Sequence, residues 1–219
     1  MLGAFTERYS LLFLGQRTLE SFRDFGILPA FAGVAVSDRY VNYFHPGWEH
    51  LAGHQACLAH LVRDYQDAAE TYPDAIWPAQ AQRGLRGLIT AWHGAREQGL
   101  AAIPAATADP LITEFRRAVT VGLSQVPRIP GPKHSTAQHP GRDMLEFCRD
   151  REGDVLRFCH DTRIWPTNDL ASHCTSWVRS AVSGLWRWSG RAAGVLFSIA
   201  CGTDIFRQRA AEVGVVAAS

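Results

Sequence analysis

An aspartate at the end of a short apolar run, followed by a cysteine and a histidine three positions apart, is the part of this sequence best equipped for chemistry. The run is Gly33-Val34-Ala35-Val36-Ser37-Asp38-Arg39-Tyr40, and the second segment is His54-Gln55-Ala56-Cys57-Leu58-Ala59-His60-Leu61. A carboxylate is a hard oxygen donor suited to magnesium-like cations, so Asp38 beside a packed strand suits nuclease-like metal chemistry. An aspartate at a strand exit also opens turns by bonding its own downstream backbone. Cysteine and histidine are the donors of zinc sites, and His50, His54, Cys57 and His60 could build a small zinc-stabilised module. The three on one expected helix do not make a closed four-ligand set. Cys57 as a small buried hydrophobe and His60 as a hydrogen-bonded support account for the same residues without metal.

The elements that must position these groups follow from apolar spacing. Tyr9 to Leu14 reads as a strand, and Thr18 caps a helix through Leu19, Phe22 and Phe25 that Gly26 stops. Val34 to Ser37 is short, β-branched at alternate positions and bounded by Gly33, which predicts a buried strand ending at Asp38. The two strands are expected as neighbours in one sheet with Asp38 at its rim. Leu51, Leu58, Leu61, Val62 and Tyr65 follow helical spacing, which predicts a helix over Leu51 to Tyr65 with Cys57, His60 and Asp64 on an adjoining face. Further helices are expected from Pro78 through Trp92, from Pro110 to Leu123, and around Leu145 to His160. The prolines of Val126 to Ser135 rule out helix there and predict a connector, whose Arg128, Lys133 and His134 could also track a phosphate backbone. Asp161 to Leu170 reads as an extended approach to one more helix, capped by Thr167 or Asn168. Strand, helix, strand and then helices imply an α/β fold.

Composition narrows the function classes. With 219 residues, 47% of them hydrophobic, the chain can bury a real core. Lys+Arg 22 against Asp+Glu 21 leaves no global field to recruit nucleic acid, so any DNA contact must come from a local patch. The cysteines Cys57, Cys148, Cys159, Cys174 and Cys201 form no compact even-numbered framework, and the first residues lack a signal peptide's order, so the cytoplasm is the default location. The longest uncharged apolar candidate, Ala192 to Gly202, falls short of the roughly 18 residues that cross a bilayer, and no membrane role is expected. The tryptophans Trp77, Trp92, Trp165, Trp177, Trp186 and Trp188 read as packing residues rather than a base-stacking platform. After Ala171 the composition shifts: Asp204 and Glu212 are the last acidic residues, and no clear period survives.

Three segments together resemble insertion-sequence-66 family transposases of the DDE type. Ser37-Asp38-Arg39-Tyr40 with Tyr43 and Phe44 is similar to the family's strand-end aspartate and its following aromatics, and His54 to Arg63 looks like its Cys-x-x-His helix. Thr167-Asn168-Asp169-Leu170-Ala171 is similar to the Thr-Asn-Asn-x-x-Glu segment, and Val182 to Arg187 echoes a downstream Val-Ser-Gly element. The resemblance implies an RNase H-like sheet interrupted by a mainly helical insertion, gathering an Asp-Asp-Glu triad around magnesium for cleavage and transfer of DNA strands. Residues 1–66 would then be a partial catalytic core, 67–160 the insertion with its proline-rich loop 126–140, and 161–219 the segment carrying the last catalytic helix, degenerate after Ala171. Asp38 would be the second acid and a weak magnesium ligand, with Cys57 and His60 supporting the site. The third acid is expected at Ser172, where a hydroxyl cannot replace a carboxylate's charge. The first belongs to a strand upstream of Tyr9 to Leu14, and no aspartate precedes Asp24. These departures lead us to expect a transposase-like fragment, truncated at its N-terminus, disrupted near Ser172 and catalytically incomplete. Its implied partners are transposon-end DNA and, in a homo-oligomer, its own kind. The alternatives are a non-catalytic DNA-binding or regulatory fragment acting on element DNA or full-length transposase, and the zinc module.

Overall fold

A computed structural model of the chain describes residues 2–5, 10–132, 138–168 and 195–200. They divide into two compact units, Met1–Cys57 with Thr167–Ser219, and Leu58–Pro166.

The first unit is built on a mixed five-stranded sheet. Its strands are β1 (Leu2–Phe5), β2 (Ser10–Phe13), β3 (Val34–Ser37), β4 (Gly53–Ala56) and β5 (Val195–Ala200), in the order β2-β1-β5-β3-β4. β1 and β2 pair antiparallel and β3 and β4 pair parallel. β5 joins the two pairs, running parallel to β1 and antiparallel to β3. Between β2 and β3 lie α1 (Leu19–Phe25) and α2 (Ile27–Ala30). Thr18 caps α1 by accepting the Ser21 amide at 3.3 Å, and Gly26 ends it in the left-handed conformation at φ 73°, a position where a side chain would be strained. Phe22 and Phe25, three positions apart, turn one face of α1 into the core. Phe13 stacks on Phe25 at 5.5 Å, and Phe22 meets Tyr43 edge-on at 5.0 Å. Leu2, Ala4, Ile27, Leu28, Phe31, Ala35 and Trp48 complete this core.

The expected strand at Tyr9 to Leu14 and the strand at Val34 to Ser37 do lie in one sheet, but they are not neighbours: β1 and β5 stand between them. Neither intervening strand announces itself: β1 is a run of four residues, and β5, though flanked by Gly194 and Gly202, is an apolar run without the alternation that tells a strand from a buried helix. The helix expected over Leu51 to Tyr65 needs a second correction. Residues 53–56 form β4, paired with β3 from Val34↔Gly53 to Ser37↔Ala56, and the helix begins only at Leu58. Pairing with β3 satisfies the backbone of 53–56 in a way no local pattern reveals, while Leu51 packs into the core.

The second unit is helical: α3 (Leu58–Thr71), α4 (Trp77–Glu97), α5 (Ala105–Gln125), α6 (Pro140–Asp150) and α7 (Glu152–Leu156). Leu58, Leu61, Tyr65 and Ala68 form the buried stripe of α3, and Tyr65 meets Trp77 and Phe115 edge-on at 6.1 and 6.4 Å. Trp77 and Trp92 are core residues. α4 and α5 approach closely at Gly84, where a Cβ would stand 3.1 Å from the Leu111 carbonyl oxygen and 3.2 Å from the Phe115 Cβ. α5 starts at Ala105 rather than at Pro110, which lies inside the helix; a proline there forgoes one backbone hydrogen bond, and the Ala-Ala-Thr-Ala lead carries the helix past that loss. The unit closes on itself where the Leu58 amide donates to the Pro166 carbonyl at 2.8 Å.

The proline-rich connector is non-helical through its described residues 126–132, and Arg128 is committed to protein. Its guanidinium pairs with Glu146, which Arg142 also holds at 2.8 Å. Arg142 in turn donates to the Leu123 and Val126 carbonyls at 2.9 and 2.8 Å, satisfying the end of α5. Gln138 exchanges two hydrogen bonds with the Ile129 backbone. Lys133 and His134 lie outside the described residues.

Two predictions follow from these contacts. Ser198→Pro in β5 removes a ladder donor from the strand between the two pairs; hydrogen exchange is expected to show lost protection in β1 and β3 while α4 and α5 keep theirs. The Arg128 guanidinium, with Arg142, holds the Glu146 carboxyl down to about 2 from an ordinary value of 4.5. Because the folded value is the lower one, this stabilisation is complete above pH 4.5 and fades as the pH falls through about 2. Amide exchange at Ile129 should therefore quicken across that acid window, and Glu146→Gln should give fast exchange at every pH.

Candidate functional site

Asp38 leaves the end of β3 with both carboxylate oxygens engaged. Oδ1 accepts the Tyr40 amide at 2.9 Å, the two-residue turn expected of an aspartate at a strand exit. Oδ2 accepts from Arg17 Nη2, also at 2.9 Å. Arg17 comes from the turn between β2 and α1, and its guanidinium lies over the Tyr40 ring at 4.1 Å from the centroid. The Tyr40 hydroxyl donates to the Arg17 carbonyl, and Asn42 donates to the Tyr40 hydroxyl at 3.3 Å. Tyr43 is fully buried at the same cluster, and its hydroxyl titrates well above its ordinary range, chiefly through burial and further through the Asp38 charge. Arg17 and Asp38 remain reachable from solvent, with side chains 33% and 21% exposed.

Two of the other sequence-predicted segments meet beside this cluster. The Cys57 amide donates to the carbonyl of Ser37, the residue before Asp38, at 2.7 Å. Its buried thiol donates to Asn168 Oδ1 at 2.9 Å and accepts the Asn168 amide at 3.3 Å. Asp38, Cys57 and the Thr167-Asn168 segment thus form one connected piece. His60 sits on the first turn of α3 in the helical unit. Ser172 and Asp169 lie outside the described residues. Among the zinc-module candidates, a His50 ring nitrogen bonds the Leu28 carbonyl at 2.9 Å and His54 packs against the Phe44 ring at 5.0 Å. No three His, Cys, Asp or Glu side chains gather as metal ligands among the described residues.

A family model for the transposase IS66 family matches residues 14–172. The chain belongs to this family. No curated protein and no solved structure matches it. Among the described residues no helix is long and apolar enough to cross a membrane. DDE-type transposases of this kind use divalent metal, which needs several oxygen donors around each ion. The described residues of this IS66-family chain do not fit that requirement: Asp38 already holds a cation, and no strand of the sheet contains an aspartate or glutamate.

Sequence reasoning reached Asp38 and Cys57 but missed Arg17. A lone arginine between a strand and a helix cap carries no periodic or motif signal, and only the fold aims it at Asp38. Asn168 was visible as a candidate helix cap, and the helix it would cap lies outside the described residues; its side chain bonds Cys57. Removing that thiol takes two hydrogen bonds from buried Asn168, together worth about 1–3 kcal/mol. Cys57→Ala should therefore destabilise the protein by about that much and speed exchange of the Asn168 amide, and Cys57→Ser should lose less in chemical denaturation.

Proposed function

We propose that this chain acts in DNA transposition as a catalytically incomplete relative of metal-dependent strand-transfer enzymes, its first unit an RNase H-like core interrupted by the helical unit. Membership of the transposase IS66 family supports the transposition role. The observation that carries the incomplete reading is the acid count in the sheet. Among the described residues Asp38 directly follows a strand end, no strand contains an acid, and β5, the strand beside β3, reads Val-Leu-Phe-Ser-Ile-Ala. Continuing the β3–β5 register from Ser37↔Phe197 puts Leu196 opposite Asp38. With serine at position 172, where the resemblance expects the third acid, the described residues offer no group of three such ligands, and the chemistry needs a convergent set.

A protein of this kind keeps a non-catalytic use, as a fragment that binds element DNA or full-length transposase and regulates transposition. The committed carboxylate favours this second reading, because a site that cannot align a nucleophile can still occupy a DNA end or a partner. A zinc module receives no support from His50, His54, Cys57 and His60, which do not gather around a common point.

The test is incubation of the purified chain with duplex DNA carrying the element ends, in magnesium or manganese. Neither cleavage nor joining is expected, and Ser172→Glu alone should not restore either, since one added acid still leaves the set incomplete. Band-shift of the same duplex without cleavage supports the regulatory reading. Magnesium-dependent cleavage by the unaltered chain, abolished by Asp38→Asn, overturns the incomplete reading.

A further inference from the structure

We propose that Arg17 is the built-in counter-cation of Asp38, holding the place on the carboxylate that a divalent ion would need. Asp38 then ties the β2–α1 turn to the exit of β3 instead of serving as an available metal ligand. This rests on reading Asp38 as the family's acid position, and it goes further in naming the residue that closes that position.

Three observations carry it. Both Asp38 oxygens are used, Oδ2 by the Arg17 guanidinium and Oδ1 by the Tyr40 amide, each at 2.9 Å. Arg17 is itself held from two sides: the Tyr40 ring lies under its guanidinium at 4.1 Å, and its carbonyl accepts from the Tyr40 hydroxyl. Little freedom remains for the guanidinium to lose in pairing, so the ion pair is pre-organised. Finally, the strands offer no second carboxylate to outweigh the repulsion a divalent ion would meet from a guanidinium fixed at contact distance. A guanidinium stays charged at every accessible pH, so the arrangement cannot be opened by titration. A divalent ion must displace Arg17 or stay away.

The experiment is titration of the full chain with manganese, read as free ion by electron paramagnetic resonance, for the unaltered protein and the variants Asp38→Asn, Arg17→Gln, Arg17→Lys and Arg17→Gln/Asp38→Asn. The unaltered protein and Asp38→Asn should bind alike, and Arg17→Lys, which keeps a cation, should match them. Arg17→Gln should gain a site at least about tenfold tighter, absent from the double variant. An Asp38-dependent site in the unaltered protein, or no gain in folded Arg17→Gln, overturns the proposal. Should a variant fail to fold, the unaltered chain labelled at aspartate carboxyl carbons still decides: selective broadening of the Asp38 signal by manganese refutes the proposal, and a sharp signal supports it. The difference from Asp38→Asn isolates metal at Asp38 without any DNA present, so its outcome is separable from that of the DNA assay.

Discussion

Two strand pairs become one sheet only because β5 lies between them. Without it, β1 and β3 would each present a row of unpaired amides and carbonyls beside a buried core, and buried backbone groups left without partners are costly. Chain order gives β1 and β2 a hairpin and β3 and β4 a crossover, yet nothing local joins the pairs. The join comes from residues 195–200, a segment far along the chain. Its apolar sequence suits a strand with neighbours on both edges. It also fixes what stands beside Asp38, because the antiparallel register with β3 brings apolar positions of β5 to that rim. The strand that completes the sheet is thus the same one that sets an apolar run beside the strand leading to Asp38.

The cluster at the sheet rim shows how a strand-end carboxylate is held within the fold. A half-buried carboxylate needs either a cation or several hydrogen-bond donors. Asp38 has both, from Arg17 and from the Tyr40 backbone. Around it the aromatics Phe22, Tyr40 and Tyr43 interlock at 5.0–6.5 Å, so the pair is seated on packed rings rather than on a loop free to move. Cys57 extends the same structure by backbone and side chain together, bonding Ser37 on one side and Asn168 on the other. A thiol is a weak donor and a weak acceptor, but here it fills both roles for one buried asparagine. Segments 111 residues apart are joined by that contact.

The helical unit obeys different physics. Its helices carry continuous apolar stripes, and its close contacts are set by small residues such as Gly84 on α4 facing α5. Its ends are stapled to each other by the Leu58–Pro166 hydrogen bond, so the unit enters and leaves the chain at nearly one point. An insertion with that property can interrupt a sheet without pulling its strands apart. The proline-rich connector is tamed similarly: Arg128 and Arg142 converge on Glu146, and the guanidinium that looked free to follow a phosphate backbone is spent on holding the connector to α6.

What the sequence by itself determined are the features with short-range causes. Thr18 and Gly26 bracket α1, the alternation at Val34 to Ser37 gives β3, and the stripes of α4 and α5 follow their apolar spacing. Asp38 and Cys57 could be singled out because the residue types and the neighbouring motif mark them. Tertiary structure alone decided the rest. It turned residues 53–56 from the start of a helix into β4, because an edge of β3 was there to pair with. It drew β5 into the middle of the sheet from a region without periodicity. It brought Arg17 to Asp38 across 21 positions and Cys57 to Asn168 across 111. Local pattern encodes only what a residue's near neighbours can satisfy; strand pairing and counter-charges are satisfied by whatever the fold brings within bonding distance.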